Sequence, residues 1–133
     1  MSVHEESKEL LNVAGKDLRA LKGMVDSEAF ADEIFGFHAQ QAVEKTLKAW
    51  IAAQGEEYPF KHDLRPLLIK LEDLGCDVSG LWDFVDLNAF AVQFRYTEYD
   101  YMEASLDRQD AINKIQVLYD RVKGIIEKIE QEG

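Results

Sequence analysis

The sequence predicts an all-α protein, an up-down antiparallel bundle of four to five helices. Apolar residues recur at helical spacing over most of the 133 residues, and no run alternates in the manner of a β-strand. Short connections between the periodic stretches favour antiparallel neighbours in a bundle. With 47% hydrophobic residues, a chain of this length is long enough to bury a real core. We therefore expect a single helical domain over residues 1–133.

The first two helices differ in how apolar they are. Helix one is predicted over residues 3–25, where one stripe of leucine, alanine and valine recurs at helical spacing. Helix two, over residues 29–54, is apolar on nearly every side. Such a helix has to be buried on more than one face. We therefore expect it at the centre of the bundle, covered by neighbouring helices or by the second subunit of a homodimer.

The remaining three helices are predicted from their capping residues and apolar spacing. Helix three begins at Asp63, a good N-cap. Helix four is expected after Ser79 as cap, with apolar positions that continue to Val92. Helix five is predicted over residues 106–130, after Ser105 as cap.

Charge and cysteine content exclude several classes of protein. The net charge of −11 argues against broad, sequence-independent nucleic-acid binding, which requires several phosphate-neutralising cations, but not against a small local site. The single cysteine, Cys76, excludes an internal disulfide and suits a reducing compartment. No apolar run approaches the ~20 residues that span a bilayer, so we expect a cytoplasmic protein without membrane contact.

No metal site and no cofactor are expected, apart from the possibility of a bound nucleotide. The sequence has neither HExxH nor Glu-x-x-His, and His38 and Glu44 do not share a helix stripe. The loops carry little glycine, so no phosphate-cradling loop and no dinucleotide fingerprint is present.

Two polar features stand out in the first half of the chain. His38, Gln41, Lys45 and Lys48 are spaced so that they lie in line on one face of helix two. They form either a strip facing solvent or a second subunit, or a phosphate site with Lys45 or Lys48 as the cation. His62 precedes helix three, as a capping or linker residue or as an exposed imidazole near a helix N-terminus, which attracts anions.

Residues 94–102, FRYTEYDYM, lose the helical periodicity and concentrate three tyrosines around an arginine. In one interpretation the rings of Tyr96, Tyr99 and Tyr101 seal the end of the bundle while their hydroxyls reach water. In the other, Arg95 clamps a phosphate with two parallel hydrogen bonds. A tyrosine then stacks on a base or accepts a nucleotidyl group.

Three stretches make the chain resemble the HEPN domain family, small helical domains found beside minimal nucleotidyltransferases in prokaryotes. They are AQQAVEKTLKAW at 39–50, the most specific, KHDLRPLL at 61–68 and FRYTEYDY at 94–101. The resemblance implies an up-down bundle that commonly dimerises. It also implies a role with nucleotides, RNA or a nucleotidyltransferase partner, often as half of a toxin–antitoxin pair.

The resemblance also bears on catalysis. Ribonuclease members of the family carry an arginine followed after four to six residues by a histidine. Arg95 matches the arginine, but residues 96–102 contain no histidine, and Thr97 stands where members often have proline. That histidine would polarise the RNA 2′-hydroxyl or protonate a leaving oxygen. We therefore do not expect a self-contained ribonuclease.

Three functions remain open. The leading hypothesis is a binding or target subunit of a minimal nucleotidyltransferase, in a module of toxin–antitoxin type. The alternatives are a divergent ribonuclease toxin that uses Arg95 and His62, and a structural helical interaction domain. In the leading hypothesis, six residues bind nucleotide or partner: Arg95, Tyr96, Tyr99, Tyr101, His62 and Lys45. Tyr101 is the first choice for modification, because relatives carry their modified tyrosine a short way past the motif arginine.

Overall fold

The prediction of an all-α fold is confirmed. A computed structural model describes residues 3–26, 28–60, 62–91 and 107–132, and these residues contain no strand. The elements in chain order are α1 (Val3–Gly23), α2 (Asp32–Ala53), α3 (Leu64–Asp73), a 3-10 helix (Trp82–Phe90) and α4 (Arg108–Glu132). None of the described helices is both long enough and apolar enough to cross a membrane.

The second helix occupies the centre of the bundle, as its composition predicted. α2 packs against α1, α3, α4 and the 3-10 helix. Apolar side chains of α2 are buried along its length: Phe35, Ala39, Val43, Leu47, Trp50 and Ile51. Because elements of the same chain cover α2 on several sides, its apolar character gives no reason of its own to place a subunit interface there.

The fourth helical element differs from the prediction, because it is a 3-10 helix that begins at Trp82. Ser79 does not cap it; Ser79 lies in a turn, where its backbone N–H and hydroxyl both donate to Asp77 Oδ1. The buried apolar residues explain the geometry, since they recur at every third position: Leu81, Phe84, Leu87 and Phe90. A helix with three residues per turn aligns such a set on one face. Val92, the last of the predicted apolar positions, lies outside the described residues.

The start of α4 also differs from the prediction. The helix begins at Arg108, and Asp107 directly precedes it. Asp107 Oδ1 accepts the backbone N–H of Asp110 at 3.0 Å, as an N-cap side chain does. Asp107 therefore caps the helix and lies before it, whereas the helix was predicted to begin at residue 106. The predicted cap, Ser105, lies outside the described residues.

Arg108 binds the start of α4 to the connection between α1 and α2. Its side chain is only 5% exposed, and its guanidinium donates to Met24 O at 2.6 Å and to Phe30 O at 2.7 Å. It also donates to Asp32 Oδ1 at 2.8 Å and lies 5.0 Å from the centroid of the Phe35 ring. These contacts give the buried charge the partners it requires. They fix the point at which α4 follows residues 92–106.

The 3-10 helix approaches α2 at a glycine. A Cβ added at Gly36 would lie 2.3 Å from Phe90 Cγ, far inside van der Waals contact. Phe90 is 1% exposed and closes the 3-10 helix. The absence of a side chain at Gly36 therefore sets how closely the end of the 3-10 helix packs on α2.

Candidate functional site

The candidate residues fall into two groups. Arg95, Tyr96, Tyr99 and Tyr101 lie outside the described residues. His62 and Lys45 lie within them, together with the rest of the polar stripe of α2. The geometry of the site is therefore given by the stripe, by His62 and by the elements that flank residues 92–106.

The polar stripe of α2 is largely buried, so the expectation of a strip facing solvent or a second subunit is wrong for Gln41 and Lys48, each 8% exposed. Two of its residues, His38 and Lys45, face α1 instead. His38 Nδ1 lies 3.0 Å from Asp17 Oδ1, and Lys45 Nζ lies 3.7 Å from Asp17 Oδ2. Asp17 thus supplies the opposing charge, from a helix 21 residues away in sequence.

Hydrogen bonds continue from this stripe into the interior of the bundle. Lys45 Nζ donates to Gln41 Oε1, and Gln41 Nε2 donates to Gln40 Oε1 at 2.8 Å. Gln40 Nε2 in turn donates to Glu44 Oε1 at 3.0 Å and to the backbone oxygen of His62 at 2.8 Å. The stretch that most resembles the HEPN family therefore forms a polar network within the bundle.

Glu44 is the buried charge at the centre of this network. Its side chain is 3% exposed, and its carboxylate contacts Lys48 Nζ and His62 Nδ1, each at 3.0 Å. Burial raises the pKa of Glu44, but the hydrogen bonds from Gln40, Lys48 and His62 outweigh it and hold the pKa below its ordinary value. Glu44 is therefore ionised at neutral pH, and an ionised carboxylate only accepts hydrogen bonds.

His62 combines this internal contact with exposure to solvent. Its side chain is 57% exposed, although its Nδ1 contacts Glu44. Because the Glu44 carboxylate accepts, Nδ1 carries the proton in the neutral ring, and Nε2 is the nitrogen free to take one up. An imidazole held by a carboxylate in this way is suited to acid–base chemistry or to hydrogen bonding with a ligand.

The start of α3 is tied to the 3-10 helix directly after His62. Asp63 caps α3, as predicted, because its Oδ1 accepts the Arg65 backbone N–H at 3.0 Å; it also accepts Asn88 Nδ2 at 2.7 Å. Asn88 Oδ1 accepts the Leu64 N–H at 3.0 Å. These two backbone N–H groups already donate to side chains of the protein. The N-terminus of α3 therefore has fewer donors for an anion than we expected.

Asp63→Asn should remove a contribution to stability that depends on pH. The side-chain hydrogen bond from Arg65 is the main cause that lowers the pKa of Asp63 from 3.8 to about 2, and the Arg65 backbone and Asn88 add to it. A carboxyl whose folded-state pKa is lowered stabilises the fold above its unfolded pKa. The contribution is therefore lost as pH falls from about 4 to about 2. After a discount for partial exposure, we expect about 1–2 kcal/mol at neutral pH.

Urea unfolding of both proteins at pH 7, pH 4 and below pH 3 tests this expectation. The difference in unfolding free energy should narrow as the pH falls. Asp73→Asn, at an exposed position in the same helix, is the control and should change stability by less than about 0.5 kcal/mol. If the difference in unfolding free energy between the wild type and Asp63→Asn stays constant over this range, the stabilisation does not come from the ionised Asp63 carboxylate.

The ion pairs that involve histidine were missed from the sequence. They join residues 21 and 18 positions apart, in the pairs Asp17–His38 and Glu44–His62. One signal was available, since Glu44 lies four residues after Gln40 and four before Lys48, so that these side chains share one face of α2. Within the described ranges, no group of three or more His, Cys, Asp and Glu side chains is arranged to hold a metal ion.

The fold and the network together define a class of protein, an all-α bundle with a buried polar network on its central helix. The sequence model of the HEPN domain family matches residues 7–127, and the chain belongs to this family. The resemblance carried by the three stretches is thereby confirmed. Comparisons with curated proteins and with solved structures give no match.

Proposed function

We propose that this HEPN protein is the binding or target subunit of a minimal nucleotidyltransferase, associated with nucleotide or RNA, in a module of toxin–antitoxin type. The observation that carries the proposal is membership of the HEPN family combined with an incomplete ribonuclease motif. Arg95 is present, but residues 96–102 provide no histidine to act with it. A binding or target role needs no such histidine.

The proposed site is the segment from Arg95 to Tyr101. Arg95 holds a phosphate of the nucleotide by charge and by paired hydrogen bonds. A tyrosine hydroxyl then attacks the α-phosphorus of a nucleoside triphosphate bound to the partner. The new bond is a tyrosyl phosphodiester, pyrophosphate leaves, and the phenolic proton passes to a base of the partner enzyme. Tyr101 is the first candidate for this hydroxyl, followed by Tyr96 and Tyr99.

The described residues on either side of this segment are held in place by the bundle, which supports a functional role for the segment. Phe90 is packed on Gly36 of α2, and Arg108 is bound to the connection between α1 and α2. Functional segments commonly lie between such rigid supports. Of the two further candidates, His62 is better placed to touch a ligand, because Lys45 already contacts Gln41 and Asp17.

Self-association completes the proposal, because domains of this family commonly dimerise. The homodimer would use a surface other than the covered faces of α2. The net charge of −11 opposes close approach of two like subunits, so the interface should be centred on apolar residues.

The purified protein should acquire a nucleotidyl group when incubated with its nucleotidyltransferase, ATP and Mg²⁺. The partner to test is the nucleotidyltransferase encoded in the neighbouring reading frame, where one is present. Mass spectrometry of proteolytic peptides should place the added mass on the peptide that contains residues 96–101. Tyr101→Phe should abolish it or move it to Tyr96 or Tyr99.

Tyr58→Phe and Tyr119→Phe are matched controls, because they remove tyrosine hydroxyls outside the segment and should leave the adduct unchanged. The triple variant Tyr96→Phe, Tyr99→Phe, Tyr101→Phe tests the same residues in partner binding. No adduct in the wild-type protein, together with unchanged partner binding by the triple variant, would leave the tyrosines as structural residues and refute the proposal.

One observation favours a second candidate, the divergent ribonuclease. His62 is exposed and its Nδ1 is held by the buried Glu44 carboxylate, which is an arrangement suited to general acid–base catalysis. Cleavage of tRNA or mRNA by the purified protein, lost in both Arg95→Ala and His62→Ala, would favour this candidate.

A further inference from the structure

A groove lies between the 3-10 helix and α4. Both elements pack on α2, and within the described part of the chain they do not pack on each other. The groove has a volume of about 620 Å³. The 3-10 helix and α4 form its two walls, and the apolar lining residues of both elements form what we call its floor: Leu81, Phe84, Leu87, Val117 and Leu118. Val117 is 69% exposed, an unusual setting for a valine on a bundle helix.

Both walls also carry carboxylates. Asp83 and Asp86 lie on the 3-10 helix, and Asp107 and Asp110 lie at the start of α4. Carboxylates of both walls act on Lys114. Asp110 makes the largest contribution to raising the pKa of Lys114, and Asp83 and Asp107 add to it. Negative potential from the two walls therefore meets within the groove.

The two cations that line the groove have partners already. Lys114 Nζ pairs with Asp110 Oδ2 at 3.0 Å. Arg121 donates to the backbone oxygen of Asp77 at 2.6 Å and lies 4.6 Å from the Trp50 ring centroid. By contrast, the side-chain carboxylates of Asp83 and Asp86 form no hydrogen bond or ion pair with any described residue. The groove thus combines an apolar floor with a rim whose acidic charge is only partly neutralised.

The length of the groove fits a helix. Its lining residues on α4 run from Asp107 to Arg121, which at about 1.5 Å per residue is roughly 21 Å, or about four helical turns. Helices in bundles pack at about 8–10 Å from their neighbours, so a helix seated between two walls contacts both. Its apolar side chains would enter the floor, and its flanking side chains would face the aspartates.

We propose that this groove is the docking site for a cationic amphipathic helix presented by another protein. An apolar face at positions i, i+3, i+4 and i+7 fills the floor, and lysine or arginine on both sides faces the acidic rim. The net charge of −11 also steers cationic partners toward the chain. The walls are joined in sequence by residues 92–106. Asp107, which directly follows that stretch, lines the groove, so the docked helix lies beside the C-terminal end of the stretch that carries Arg95.

This inference goes beyond the proposed function, because it requires neither a nucleotide nor a modified tyrosine. It is tested with a fluorescein-labelled peptide of leucine and lysine, about 14 residues long, with leucine at helical spacing. The comparison peptide has the same composition in scrambled order. Fluorescence anisotropy should show that the amphipathic peptide binds about tenfold more tightly than the scrambled one.

Two variants of the protein address the floor and the rim. Val117→Lys places a positive charge, the same sign as that of the peptide, in the floor and should weaken peptide binding about tenfold. Asp83→Asn with Asp86→Asn removes two exposed charges and should weaken binding about fivefold. Glu9→Gln with Glu28→Gln removes the same charge at exposed positions outside the groove and should leave the affinity within about twofold. All of these positions are exposed, so thermal unfolding should confirm that each variant folds.

Several outcomes would overturn the inference. Equal affinity for the two peptides, or an equal loss in the Glu9 and Glu28 control, would reduce the binding to nonspecific attraction by net charge. If the amphipathic peptide does not bind, the groove is not a docking site for such a helix. Sedimentation showing a dimer that Val117→Lys dissociates would make a second copy the occupant. Tighter peptide binding after residues 92–106 are replaced by a glycine–serine linker of equal length would make that segment the occupant. Competition by spermidine equal to that by the peptide would make the site one for small cations.

Discussion

Gly36→Ala should destabilise the protein by about 3 kcal/mol, at the upper end of the usual cost of overpacking a core. The added Cβ would lie 2.3–2.5 Å from three ring atoms of Phe90. Phe90 is 1% exposed, so its ring is enclosed by the core and cannot move aside without displacing neighbouring atoms. The backbone of α2 or the last turn of the 3-10 helix must therefore shift. The steric cost itself exceeds the net loss in stability, because alanine is the better helix former by about 1 kcal/mol and so offsets part of that cost.

Gly124→Ala is the matched control for this substitution. Gly124 lies inside α4, is exposed, and has no atom within 4 Å of an added Cβ. The same change of residue should stabilise the protein there by about 0.5–1 kcal/mol. Urea unfolding monitored by circular dichroism measures both effects.

The Phe90 ring can be tested directly as the cause. If the ring is the obstacle, Gly36→Ala should cost much less in a Phe90→Ala background than in the wild type, because the two residues are in contact. An equal cost in both backgrounds, or a Gly36→Ala protein as stable as the wild type, would contradict the close packing of the 3-10 helix on α2.

The local rules of helix formation predicted much of this bundle. The central position of α2 followed from its apolar composition, and the N-cap at Asp63 followed from its side chain and the apolar spacing after it. The 3-10 helix was predicted as α-helix because periods of 3 and 3.6 are hard to separate in about ten residues. The strict recurrence of apolar residues at every third position, from Leu81 to Phe90, was the signal that separated them.

The start of α4 shows a different limit. Ser105 and Asp107 are both good N-cap residues and lie two positions apart, so side-chain preference alone does not choose between them. The choice of Asp107 agrees with the next residue, since Arg108 is the first helical residue and is buried among the carbonyl groups of the α1–α2 connection. A tertiary contact with a distant part of the chain is not visible in local sequence.

The polar network of α2 was not predictable from helical spacing. Spacing placed four polar residues on one face, but Asp17, the partner of His38 and Lys45, lies on α1. His62, the partner of Glu44, lies before α3. Which element meets that face depends on how the helices pack, and this is not encoded in the period of one helix. The same reasoning failed for exposure, because one interpretation placed Lys48 on a strip that faces solvent or a second subunit, whereas Lys48 is buried with Glu44.

Lys48→Met should destabilise the protein by about 3–5 kcal/mol at neutral pH, because it leaves the buried Glu44 carboxylate without its cation. Methionine keeps the length and apolar character of the lysine stem, so the loss reports the charge rather than a cavity. Lys70→Met is the control. Lys70 pairs with Glu56 at 3.3 Å, but both side chains are at least one-third exposed, and such pairs contribute about 0–1 kcal/mol.

The pH dependence separates the loss of charge pairing from a packing defect. Without Lys48, the pKa of Glu44 in the folded protein should rise, because the ion pair no longer opposes the effect of burial. Because the pKa of Glu44 is then higher in the folded variant than in the folded wild type, the variant gains stability relative to the wild type as the pH falls and Glu44 takes up a proton. The cost of Lys48→Met should therefore shrink between pH 7 and pH 4.

A second substitution completes this test. Glu44→Gln in the Lys48→Met background removes the unpaired charge and should recover part of the lost stability at pH 7, because replacing both members of a buried pair is far less costly than removing one. His62 and Gln40 remain as hydrogen-bond partners for the new amide. If the cost of Lys48→Met is independent of pH and is not reduced by Glu44→Gln, Glu44 is not the ionised centre of the network. His62 would then lose the carboxylate that holds its Nδ1, and with it the argument for any acid–base role.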